Sequence, residues 1–413
     1  MTDCTTTKVE FSSLKRRKVE AEFSGGEITS DGGALLLRAA DHQLGLMKRV
    51  SDVIEDPRRQ ELVQHSQLSM LRQRVYGVAL GYEDLNDHQT LRSDSAIQTA
   101  VDRIGWLASA PTLCRLENSA SREGAVAIHQ VMIEQFIDSF DTPPKELILD
   151  FDATDDPIHG DQEGRFFHGY YDHYCFLPLY VFCGDQLLVS YLRPSNIDGA
   201  KHSWAILSLL VKRLRQQWPT VKIIFRGDSG FCRHRILSWC ERNNVDFVVG
   251  LAGNSRLKEK SNDLRILSEG LYKYTKQKQR EFDSFRYDAK SWSKQRRVIA
   301  KAEYSHRGEM ENQIKEQQMQ LLADRTSASY WWANQWRVLL SSLAYILLEH
   351  IRRTALKKSE LASAQVWTIR LKLLKVGGII LRNTRCIRLL LSSSYPYQVL
   401  FQQVATQLQP RPG

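Results

Sequence analysis

Residues 147–156 read LILDFDATDD, and the fold turns on how that stretch is read. In a β-strand side chains alternate, so Leu147, Leu149 and Phe151 share one face while Asp150 and Asp152 share the other. Pro143 and Pro144 punctuate the chain just before it, which bounds a strand over ELILDFDA (146–153). A second apolar strand, in VKIIFRGDSG (221–230), runs into a loop carrying Asp228 at its C-terminal end. That is the end at which α/β sheets hold ligands. If the two strands are neighbours, Asp152 and Asp228 meet at adjacent strand ends.

Working outward, YCFLPLYVFC (174–183) and DQLLVSYLR (185–193) read as strands joined by a tight turn at Gly184 and Asp185. A helix over 199–217 stops before Pro219, a second covers 233–243, and VDFVVG (245–250) closes the series as a strand. The order β-β-β-α-β-α-β predicts a mixed sheet with helices on its faces. This core is expected over 143–251. Before it come a mobile basic leader (1–30) and a helical N-terminal, DNA-binding domain (31–142). In that domain Ser30 or Asp31 can cap a helix from Ala34, and Pro111 suits the first turn of a short helix. With Thr112 and Arg115, this short helix could enter a groove or simply join a bundle. After the core come a basic, aromatic insertion (252–303), an acidic helix (304–327) and a helical basic C-terminal region (328–413).

The acidic helix is YSHRGEMENQIKEQQ (304–318). Tyr304, Arg307, Glu311 and Lys315 are spaced by 3, 4 and 4 residues, one stripe of an α-helix, with Gln318 beside it. A Glu–Lys pair at i, i+4 is also ordinary surface chemistry. Brought together, Asp152, Asp228 and Glu311 would repel: two carboxylates about 4 Å apart cost roughly 4 kcal/mol at an effective dielectric near 20. Such a cluster needs a cation, and hard oxygen donors on an open site favour Mg²⁺ or Mn²⁺. Asp155, Asp156, Asp161 and Asp172 read as loop residues, and His159 and His168 as turn or hydrogen-bonding residues, since no Cys or His stands at zinc spacing.

The 413 residues carry a formal net charge of +10. It is concentrated late: Arg256 to Lys301 holds fourteen Lys/Arg against six Asp/Glu, and Glu349 to Arg388 ten against two. Two such segments suggest a polyanionic partner. The seven cysteines include no C-x-x-C pair, the N-terminus has no apolar signal region, and the longest apolar run, VLLSSLAYILL (338–348), is too short to span a bilayer. A soluble cytoplasmic protein without structural zinc is expected.

LDFDATDD, FHGYYDHYCFLPLY, FRGDSGF and YSHRGEMENQIKE, in that order, resemble the DDE transposases of bacterial insertion sequences, most closely the insertion-sequence thirteen-eighty family. The resemblance runs from SGGEITSDGGALLL (24–37) past LLADRTSASYWWANQWRVLLSSLAYILL (321–348). It implies a ribonuclease-H-like core interrupted by a β-rich insertion, and three metal-binding catalytic acids. Asp152 fits the first, in the D-x-T pattern Asp152-Ala153-Thr154, with Asp150 second choice. Asp228 is the second acid. Glu311 is the third, within a Tyr-x₂-Arg-x₃-Glu-x₆-Lys signature whose lysine position holds Gln318; Lys315 is the candidate substitute.

The resemblance further implies two Mg²⁺ or Mn²⁺ ions and DNA as partner, with at least a homodimer where two element ends are paired. Arg307 and Lys315 would hold phosphates, and Tyr304 a phosphate or a nucleotide. Trp292 would receive an everted base or plug a small sheet. Arg296 and Arg297 would serve DNA in the insertion, and Arg352, Arg353, Lys357 and Lys358 would track phosphates. The implied reaction is hydrolysis at the element's ends, then joining of the 3′-OH ends to target DNA, in a bacterial, nucleoid-associated setting. The alternatives are a nuclease without strand transfer and a domesticated, inactive DNA-binding protein.

Overall fold

The computed structural model describes residues 8–275, 280–303 and 309–409. The chain divides into two compact units, Met132–Lys315 and a discontinuous one made of Met1–Val131 with Glu316–Gly413.

The unit Met132–Lys315 is built on five strands: β1 (Glu146–Ala153), β2 (Leu179–Cys183), β3 (Gln186–Tyr191), β4 (Lys222–Gly227) and β5 (Asp246–Val249). Their order is β3-β2-β1-β4-β5. β4 is parallel to both β1 and β5, whereas β1–β2 and β2–β3 are antiparallel. Helix α1 (Ser203–Gln217) connects β3 to β4, and α2 (His234–Arg242) connects β4 to β5. The expected strand and helix order is therefore present. The β2–β3 turn uses Gly184 at φ 58°, a left-handed conformation that a Cβ disfavours.

Alternation along β1 places Leu147, Leu149 and Phe151 in the core with Ile223 and Phe225 of β4. The Phe151 and Phe225 rings meet edge to face, centroids 5.0 Å apart. Each such side chain contributes about 1.5–3 kcal/mol on burial, so slipping β1 by one residue would put carboxylates into this core. Asp150 and Asp152 are thereby fixed on the opposite face.

Four expectations change. The run 174–183 is two strands: His173–Phe176 joins a small sheet with Asp156–Pro157 and Phe166–His168, and Leu179–Cys183 joins the main one. Pro178, which has no N–H for a ladder, sits between them. The insertion is as helical as it is β-rich. Helices Ser255–Lys260 and Asn262–Thr275 precede the antiparallel pair Arg280–Tyr287 and Arg296–Glu303. The Asn254 side chain caps the first helix by accepting the Leu257 N–H, a local signal that outweighs basic composition.

The leader is not featureless, because Val9–Leu14 pairs with Arg17–Ala21, aligning Phe11 with Val19 and Val9 with Ala21 on one exposed ribbon. Its period-two pattern was hidden beneath its lysines and arginines. Finally, the C-terminal region also contains strands: Gly378–Arg382 pairs with Ile387–Leu391 and with Ile28–Thr29 near the other end of the chain. The two terminal regions, read separately from sequence, thus form one unit.

That unit packs the long helix Trp331–Ala355 against Gln67–Leu80 and Ala34–Leu44. Gly33, not Ser30 or Asp31, stands at the N-cap of Ala34–Leu44. Asp31 is instead buried, accepting Tyr82 Oη at 2.6 Å and Lys375 Nζ at 2.7 Å. The helix Ala110–Asn118 has Pro111 in its first turn, as expected, with Ser109 at its N-cap, and buries Leu113, Leu116 and Glu117. Glu117, only 1% exposed, accepts Nε of both Arg74 and Arg337 at 2.8 Å. Nη1 of Arg74 also reaches the buried His88 Nε2 at 3.0 Å. Among the described residues, no helix is long and apolar enough to cross a membrane.

His350, on the long helix, lies 2.8 Å from Gln43 Oε1, and burial pushes its pKa down to about 4. An unfolded chain protonates this ring near 6.5. The unfolded state therefore binds more protons between pH 6.5 and 4, and acid favours it there. Stability from this group is whole above pH 6.5 and falls by up to about 3 kcal/mol as pH drops through that window. Thermal melts of wild type and His350→Gln across pH 4–7 should converge at the acid end. Parallel curves would mean that His350 does not titrate this way.

Candidate active site

Two strands place the first carboxylates. β4 pairs with β1 in register, Arg226 opposite Asp150 and Gly227 opposite Phe151, so the next position sets Asp228 level with Asp152. Both stand at C-terminal strand ends, Asp152 half-buried and Asp228 exposed. Oδ1 of Asp228 accepts the Gly230 N–H at 2.8 Å, capping the single turn Ser229–Phe231. Oδ1 of Asp152 accepts the Ala153 N–H at 2.8 Å.

Asp150 is placed differently. Its carboxylate is 8% exposed and receives both Nε and Nη2 of Arg226, a two-pronged pair. A metal ion bound at this carboxylate would have to displace the Arg226 contact.

Gly250 supports the loop. Its N–H donates to the Gly227 carbonyl at 3.0 Å, and a Cβ built on it would lie 2.7 Å from Ser229 N and 3.0 Å from the Asp228 carbonyl carbon. Any side chain must push the Asp228 backbone aside. Gly250→Val is expected to lower activity at this site by about 100-fold, the usual cost of displacing a reacting group by about 1 Å. Near-wild-type turnover in this variant would show that the loop tolerates displacement.

Beyond Asp152 the small sheet carries the FHGYYDHY motif. Burial, then the charges of Asp155 and Asp152, push the Tyr171 hydroxyl up to about 12, so it remains a protonated donor beside these acids. His173 Nε2 lies 2.9 Å from Asp155 Oδ2, and Asp156 is wholly buried opposite Phe176. Asp156, read as a loop residue from sequence, is thus part of an ordered sheet, whereas Asp155 lies in the loop just before it.

Glu311 lies on the helix Glu309–Lys315. Gln313 of that helix donates to Asp185 Oδ1 at 2.5 Å and to the Gly184 carbonyl at 3.3 Å, holding it against the β2–β3 turn. Tyr180 faces Asp152, and Gly184 comes four residues later, so this turn lies roughly 13 Å along the sheet at about 3.3 Å per residue. Tyr304, Arg307 and the Glu311 side chain lie outside the described residues. Among the described residues, no group of three His, Cys, Asp or Glu side chains is close enough to hold a metal ion. Lys315 is exposed, and Gln318 falls on a π-helical turn, Glu316–Gln320, so the stripe does not continue as one α-helix.

Several expected DNA contacts have protein partners. Arg296 is buried and pairs with Glu241 at 2.8 Å, its guanidinium 5.1 Å from the Trp292 ring. Arg352 pairs with Glu316 at 3.0 Å, and Arg353 with Glu349 at 3.3 Å. Arg297, Lys357 and Lys358 are exposed. Trp292 packs edge-on against Tyr287 and lines a cavity of about 460 Å³ with Phe247, Phe285, Arg297 and Lys301. Sequence reasoning missed Arg226, Tyr171 and Gly250. Only the F-R-G-D-S-G spacing hinted at the first.

No curated protein matches the chain. A solved structure of piggyBac transposase, in a synaptic complex with hairpin DNA, is similar at 12% identity over 93% of this chain and 87% of that one, with a TM-score of 0.36. The family model for the transposase DDE domain, group 1, matches residues 11–306 and 302–412, nearly the whole length, and the chain belongs to that family of DDE transposases.

Proposed function

We propose that this chain is the DNA transposase of a bacterial insertion sequence, cutting the element's ends and joining them to target DNA. The observation that carries the reading is the parallel register of β1 and β4, which ends with Gly227 opposite Phe151, one residue before Asp228 and Asp152. The sheet order, three antiparallel strands followed by two parallel ones with a helix before each, supports a ribonuclease-H-like core.

The donor set fits Mg²⁺ or Mn²⁺: carboxylate oxygens only, on a partly open site. Asp152 and Asp228 would hold the ions, with Glu311 as third ligand. Bound there, divalent ions supply Lewis-acid chemistry on a phosphodiester. The chain's own residues do the rest. The β1 and β4 ends fix the two carboxylates, Gly250 lets the Asp228 loop close, and Tyr171 offers a hydroxyl donor beside Asp152. Exposed Lys315, Arg297 and Lys357 would hold DNA phosphates as flexible cations, and Arg307, Tyr304 and Gln318 would add contacts of their own. The aromatic cavity beside Trp292 would take an unpaired base, its cations meeting the flanking phosphate.

Water attacks the phosphodiester at the element's end and a 3′-OH leaves. That hydroxyl then attacks a target phosphodiester, releasing a target 3′-OH. Two ends demand two sites, hence at least two copies on DNA. The test incubates duplex oligonucleotides bearing the element's ends with a target plasmid and Mn²⁺. Joined products are expected. Cleavage without joining would reduce the activity to that of a nuclease, and neither would leave a DNA-binding protein.

A further inference from the structure

Behind the carboxylates lies a second charged rung. Arg226 faces Asp150 across the two central parallel strands, two residues before Asp228 and Asp152. Two residues along a strand are roughly 6.6 Å, comparable to one nucleotide step. The rung is asymmetric: the Asp150 carboxylate is 8% exposed, the Arg226 side chain 50%. The acid is buried while half of the arginine side chain stays exposed, an arrangement that sheet pairing alone does not require. A buried carboxylate gripping one edge of the fork fixes the plane of an arginine that solvent, and therefore a phosphate, can reach. The face is otherwise repulsive to DNA here, since Asp152 and Asp228 are its next charges.

We infer that Arg226, oriented by Asp150, grips the DNA phosphate adjacent to the one cut at Asp152 and Asp228, and that Asp150 is a positioning residue rather than a metal ligand. This rests on the reading of the site as one that cuts DNA. Arginine suits the role because its planar fork reads phosphate oxygens in a set direction, whereas lysine is a point charge.

The test measures steady-state cleavage of an end-bearing duplex oligonucleotide with Mn²⁺ between 50 and 200 mM salt. Four proteins are compared: wild type, Arg226→Lys, the double variant Asp150→Asn/Arg226→Gln, and Asp228→Asn. The double variant replaces the ion pair by two neutral amides and leaves no uncompensated charge on the sheet, so it should melt close to wild type. Its KM should rise about tenfold and its salt slope fall by about one unit, with kcat within about threefold. Arg226→Lys, which keeps a charge facing Asp150, should retain the salt slope yet raise KM. Unchanged KM and salt slope in the double variant, beside an inactive Asp228→Asn, overturn the inference. An active Asp228→Asn overturns the site reading, and the inference with it.

Discussion

Asparagine at position 228 should remove DNA cleavage by at least about a thousandfold while leaving the fold intact. The geometry separates the two effects. Asp228 is exposed, and its one structural duty is to cap the turn Ser229–Phe231 through the Gly230 N–H. Asparagine caps as well as aspartate, so stability should change by no more than about 0.5 kcal/mol. What disappears is one anionic oxygen of the proposed ligand set, and a thousandfold loss corresponds to about 4 kcal/mol of transition-state stabilisation. Asp152→Asn should behave alike, since an amide oxygen can still accept the Ala153 N–H. Glu311→Gln forms the third arm of the experiment. Single-turnover cleavage with Mn²⁺, run beside thermal melts, reads both quantities at once. Wild-type rates in any of the three would remove that residue from the ligand set.

Glu117→Ala should act in the opposite sense, collapsing stability without touching the carboxylates. Its side chain is 1% exposed and accepts from Arg74, itself 4% exposed, and from Arg337. Removing the acid leaves two guanidinium groups facing one another in a poorly hydrated interior, with His88 against Arg74. Breaking a buried ion pair from one side typically costs about 3–5 kcal/mol, because the remaining charge keeps its desolvation cost. At about 2–4 °C per kcal/mol, the melting midpoint of this unit should fall by roughly 10 °C. Glu117→Gln, which retains an acceptor of the same shape, should lose less. A melt unchanged by Glu117→Ala would mean that water reaches Arg74 and Arg337 and hydrates them.

How much was readable beforehand depended on range. The LILDFDA strand, the Gly184–Asp185 turn and the two core helices were legible because each is encoded in neighbouring residues: an alternation, a glycine needed at positive φ, a 3.6-residue apolar period. The helices of the insertion were missed because basic composition hid the capping Asn254. Charge partners were the least legible: Arg296 and Arg352, expected at phosphates, each pair with a glutamate, 55 and 36 residues away in the chain.

By itself the sequence determined which residues could alternate into a sheet face and which acids would stand at strand ends, since those depend on backbone periodicity. Only the tertiary structure decided that the strands preceding Asp152 and Asp228 pair in parallel, with Phe151 opposite Gly227, and that Asp150 pairs with an arginine 76 residues away. It also decided that Gly250 must lack a side chain. The reason is physical: a charge acquires its role from whichever partner folding brings beside it, and strand pairing across the chain, not local spacing, selects that partner.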